Sequence, residues 1–147
     1  MRKNTHTYKF VEWCSPEELH EDALNWLSEL EFIKVEQQFL DALIKNYTLE
    51  LISGDIYTQS LKLVRELSRE EKQAASLLEV VQKHSNQLQI LADGINQLKE
   101  EKKYKEVHYV LKIDVSRYED DYKKTKREIF SLIKQIMKQK KQKRLTQ

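Results

Sequence analysis

The sequence predicts an all-α protein: an up-down-up antiparallel bundle of three long helices with coiled-coil-like seams, preceded by an extended N-terminal segment. Three observations carry this expectation. Steps of four and three residues from Tyr104 reach His108, Leu111, Val115, Tyr118, Tyr122, Thr125, Ile129, Leu132 and Ile136, and none of these positions is charged although most residues between them are. Such spacing gathers apolar side chains into one buried stripe on a helix and leaves the charges to water. The chain has two Gly and one Pro in 147 residues, too few for tight hairpins or glycine-rich phosphate loops. The charged residues make up 34%, and they recur periodically instead of in blocks, as on solvated helix faces and unlike disorder. The length suits a single domain spanning 1–147.

Residues 1–14 begin polar and then carry Tyr8, Phe10 and Trp13 around Val11. That aromatic density predicts an extended strap lying over apolar surface. Ser15-Pro16-Glu17-Glu18 then reads as a helix start. Ser15 and Glu18 have capping-box spacing, Pro16 suits the first helical position, and Cys14 and Leu19 stand where a hydrophobic staple would. Helix 1 is expected over 16–53, with a seam of Ala23, Trp26, Leu30, Ile33, Gln37, Leu40, Ile44, Tyr47 and Leu51. A second stripe, Phe32, Val35, Phe39 and Leu43, lies beside the seam and widens the apolar face to about half the circumference, beyond the ~100° of an ordinary amphipathic helix.

Ser53-Gly54-Asp55 marks a break, since Gly can take the left-handed conformation that closes a helix and Asp can open the next. Helix 2 is expected over 57–92, its seam containing Val64, Leu67, Ala74, Leu78, Val81, Leu88 and Ala92, flanked by Leu63, Leu77 and Leu91 and interrupted by Glu71 and Ser85. Asp93-Gly94 supplies the second break, and helix 3 is expected over 96–143. At the helical rise the three span about 57, about 54 and about 70 Å, so the end of helix 3 is expected to project.

Charge is segregated. From Glu12 to Asp41 the only Lys or Arg among the acids is Lys34, whereas no acid follows Glu128 and Lys134, Lys138, Lys140, Lys141, Lys143 and Arg144 do. The net charge of +2 makes no case for a polyanion binder overall, so a nucleic-acid reading rests on that tail alone. The tail lacks an apolar face continuing past Ile136 and Met137, which argues against membrane insertion. A single cysteine, Cys14, excludes an internal disulfide and points to a reducing, cytoplasmic setting.

The candidate chemistry is thin. Glu17-x-x-His20 has the spacing of a di-iron ligand pair, but no second such pair exists and the site falls in an exposed first turn, so no metal or cofactor is expected. Cys14 has no base beside it in sequence. Tyr104, Tyr118 and Tyr122 are seam residues before they are a ligand slot, and Tyr109 joins them only by proximity. Pairing helices 2 and 3 about residues 93–94 sets residues summing to about 187 opposite each other, so His84 is expected near Lys103 and Tyr104, and His108 near Glu79. A core histidine held by a carboxylate is the plain reading of both.

The sequence therefore points to a non-enzymatic interaction or scaffold protein without a small-molecule substrate. It is expected to self-associate through Phe32, Val35, Phe39 and Leu43, with Lys138, Lys140, Lys141, Lys143 and Arg144 as a charged contact to an acidic protein surface or a second copy. The alternatives are a nucleic-acid contact by the tail and a ferritin-like metal or small-ligand carrier.

Overall fold

Ser15 closes the start of the first long helix: its Oγ accepts from the Glu18 amide at 3.2 Å, and the Glu18 carboxylate accepts from the Ser15 amide at 3.0 Å. Cys14 and Leu19, the staple positions, are both buried. The structure, a computed structural model, describes residues 11–94 and 98–146. Among them it is all-α, with α1 Pro16–Asn46, α2 Thr48–Leu51, α3 Tyr57–Asp93 and α4 Leu98–Thr146, and 3-10 turns at Val11–Trp13 and Gly54–Ile56. No helix among the described residues is long and apolar enough to cross a membrane.

Three local expectations are corrected. The first helix does not run to Ser53. It stops at Asn46, Tyr47 leaves helical geometry (φ −110°, ψ 19°), and a single turn, α2, follows. The Thr48 hydroxyl donates to the Lys45 carbonyl at 2.8 Å, so a local side-chain bond competes with the helical ladder at the interruption. Val11–Trp13 is a 3-10 turn instead of an extended strand, and Trp13 is exposed instead of covering the core. Tyr8 and Phe10, the rest of the expected strap, lie outside the described residues, as does Asn96, the expected start of helix 3. Gly54 does take the left-handed conformation (φ +67°), but Asp55 sits inside the following 3-10 turn and not at a cap.

The described chain forms two compact units. One takes in Met1–Phe32 and Ala75–Arg117, of which 11–32, 75–94 and 98–117 are described. Its core joins Leu19, Ala23 and Leu30 of α1, Val81, Leu88 and Leu91 of α3, and Leu111 and Val115 of α4. The other takes in Ile33–Ala74 and Tyr118–Gln147. There Ile33 and Leu40 of α1, Leu63 and Leu67 of α3, and Ile129, Leu132 and Ile136 of α4 are buried. Each fully buried Leu or Ile contributes about 1.5–3 kcal/mol by leaving water.

The uncharged series on α4 is inward as read: every member from His108 to Ile136 is buried and Tyr104 is half-buried. On α3 the seam runs one residue earlier at its start than expected, with Leu63 and Glu70 buried in place of the more exposed Val64 and Glu71.

Candidate functional site

Each unit carries one polar cluster in its core. In the first, α1 supplies Asp22 and Trp26, one helical turn apart, α3 supplies His84 and α4 supplies His108. His84 Nε2 and His108 Nδ1 are 3.0 Å apart, and His108 Nε2 lies 3.2 Å from Asp22 Oδ2. Trp26 stacks on the His108 ring at 4.5 Å between centroids and 27° between planes. The expected neighbours of the histidines are thereby corrected: His84 meets His108 more than a turn beyond Lys103 and Tyr104, and the carboxylate on His108 is Asp22 and not Glu79. Helix α3 persists to Asp93, and the His84–His108 contact sets the pairing register later than a turn at 93–94 implies.

The bonding order fixes the tautomers. A carboxylate only accepts, so His108 Nε2 carries the hydrogen that meets Asp22. In a neutral pair His108 Nδ1 then accepts from His84 Nε2–H, which leaves His84 Nδ1 bare. That nitrogen is buried with no hydrogen-bond partner among the described residues. Burial, and secondarily the neighbouring His108, depress the His84 imidazole to about 4, so the ring stays neutral. The three groups make a chain, not a chelate: Asp22 and His84 occupy opposite nitrogens of His108, where one ion cannot reach both. Among the described residues no group of three or more His, Cys, Asp or Glu is arranged to hold a metal.

In the second unit Gln37 Nε2 donates to the Tyr118 hydroxyl at 2.9 Å, and that hydroxyl donates to the Glu70 carbonyl at 2.6 Å. Thr125 Oγ1 donates to Glu70 Oε2 at 2.8 Å, while Glu70 Oε1 has no partner among the described residues. Burial pushes the Glu70 carboxyl up, and the Thr125 bond only partly offsets it. Its neighbour Glu71 is raised to about 7, first by loss of water and then by a hydrogen bond and like charge with Asp41. Nearer the surface, Lys126 bonds both carboxylate oxygens of Glu36 at 3.1 and 3.0 Å, and the Tyr122 hydroxyl donates to the same carboxylate. Desolvation holds Tyr118 near 12 and raises Tyr122 further, so both remain donors. These are core hydrogen bonds around one buried acid, of which Glu70 Oε1 is left without a partner among the described residues.

The residues singled out for contact lie on the surface. Phe32, Val35 and Phe39 are 63%, 61% and 59% exposed, and Leu43 is half-buried. Lys138, Lys141, Lys143 and Arg144 are exposed and form no ion pair among the described residues. Lys140 is exposed too, and it bonds Glu50 at 2.8 Å and lies over the Tyr47 ring within the chain. Glu17 is exposed at the surface of the first turn and His20 is half-buried. A cleft of about 570 Å³ opens between residues 50–56 and the inner side of the α4 end, lined by Gly54, Asp55, Gln139 and Lys143 among others, and it contains no histidine or cysteine.

Sequence reasoning missed Asp22, Trp26 and Glu70 as core partners. The signal for the first two was weak but present: Trp26 belongs to the α1 seam, and Asp22 precedes the seam residue Ala23. Compared with known protein families, curated proteins and solved structures, the chain matches none.

Proposed function

We propose that this chain is a non-enzymatic helical-bundle scaffold, folded as an up-down-up antiparallel coiled-coil-like bundle, that associates with a second copy of itself through α1 in a reducing, cytoplasmic setting. One observation carries the reading: three large apolar side chains, Phe32, Val35 and Phe39, stand more than half exposed in one stripe of a helix whose other side is already buried. Contiguous exposed apolar surface of this kind marks an interaction site more often than a lone exposed Leu does. The polar clusters support the same reading, because their donors and acceptors are mostly spent on one another and leave little to act on a substrate.

Sedimentation of the wild type and of Phe39→Glu tests it. The wild type should associate at tens of micromolar, and a charge at the centre of the stripe should weaken that by about 30-fold or more. A wild type that remains monomeric at that concentration refutes self-association.

A further inference from the structure

We propose that the surface received by the α1 stripe is the outward face of the basic end of α4 from a second copy. This rests on the self-association reading and adds which surface of the copy is used.

The stripe is bracketed by acid. At 3.6 residues per turn Glu29 and Glu36 run along one edge of Phe32, Val35 and Phe39, and Glu31 runs along the other. Lys126 already neutralises Glu36, whereas Glu29 and Glu31 are exposed and make no ion pair among the described residues. Pairing α1 with α1 in parallel register would set these uncompensated acids against their own copies. Like charges facing each other oppose association.

The end of α4 has the complementary pattern. Phe130, Met137 and Leu145 are 42%, 54% and 76% exposed and are seven and eight residues apart, so they share one helix face. Lys134 and Lys141 fall on that same face, with Lys138 and Arg144 at its margins. Ile129, Leu132, Ile133 and Ile136 point inward instead. Of the two cations on other sides, Lys140 is held by Glu50 and Lys143 lines the cleft beside residues 50–56. Four of the cations left without an ion pair among the described residues, Lys134, Lys138, Lys141 and Arg144, therefore surround the apolar residues left without cover. Near-heptad apolar spacing flanked by charge suits a helix with the opposite flanking charge. A phosphate backbone would engage the lysines but give Phe130, Met137 and Leu145 nothing to pack on.

The test is a charge exchange at exposed positions, read by sedimentation with circular dichroism as the fold check. Glu29→Lys with Glu31→Lys should weaken self-association about tenfold, and so should Lys138→Glu with Lys141→Glu. All four together should restore the wild-type affinity to within about threefold, and raising salt from about 0.1 to about 0.5 M should weaken the wild type. If the α4 pair has no effect, if the α1 pair strengthens association, or if the fourfold variant is no tighter than either pair, the α4 assignment is overturned while Phe39→Glu still reports on the stripe. A monomeric wild type, including one captured by duplex nucleic acid, overturns both.

Discussion

Acid should weaken this fold through His84, and the size of the effect follows from its surroundings. The ring is 2% exposed, its Nε2 faces His108 and its Nδ1 faces no partner, so the folded chain has no place for the charge of a second proton. The folded ring titrates near 4 against an ordinary 6.5. Below pH 6.5 the unfolded chain accordingly takes up a proton that the folded chain refuses until pH 4. Stability is unaffected above the unfolded value and falls as the pH drops between the two. Integrated to a pH of about 4.5, this costs about 2.5 kcal/mol at 1.36 kcal/mol per unit. His84→Gln keeps a donor for His108 and removes the titration. Urea denaturation of both proteins, followed by circular dichroism at several pH values from about 7.5 to about 4.5, gives the comparison, because every other titrating group cancels in the difference. The variant should gain on the wild type by about 2.5 kcal/mol across that range. A gap that stays constant with pH would refute the argument that burial keeps His84 neutral.

Two further expectations concern helix ends. Ser15→Ala removes the acceptor of the Glu18 amide and should cost about 1 kcal/mol, visible as a lower melting temperature. Gly54→Ala should cost about 1 kcal/mol from left-handed backbone alone, because a Cβ there meets nothing within 4 Å; a loss several times larger in thermal denaturation would show an unrecognised clash.

The inward face of α4 was legible because it obeys one rule over ten positions, and burial selects against charge at every one. The outward stripe of α1 was legible for the converse reason: Phe32, Val35 and Phe39 exceed what one core can absorb. The partners across helices were not legible. A seam states which side faces inward but not how far one helix is slid along another, and an error of one turn moves His84 from Tyr104 to His108. Glu70 was misread for a related reason. Adjacent glutamates are equally plausible seam residues at 3.5-residue spacing, and only the Thr125 hydroxyl opposite selects Glu70. The interruption at Tyr47 escaped because Thr48 is an unremarkable helix residue until its hydroxyl turns back to Lys45.

The two polar clusters titrate in opposite senses, and this shapes the pH response of the whole chain. Glu71, with its raised value of about 7, and the buried Glu70 bind protons in the folded chain before the unfolded chain does. Their contribution is present at low pH and is lost as the pH rises through the folded values, the reverse of His84. Glu71 is partly exposed, so solvent screening limits its share to about 1 kcal/mol. Between the ordinary carboxyl value of 4.5 and the histidine value of 6.5 the terms oppose each other, and the wild type should lose less stability on acidification than His84 alone dictates. Glu71→Gln takes away its share of the offset without touching the histidines. In the same urea series it should fall more steeply with acid than the wild type by about 1 kcal/mol, the opposite departure from that of His84→Gln. Were both variants to depart in the same direction, the assignment of one cluster as proton-refusing and the other as proton-retaining would be wrong.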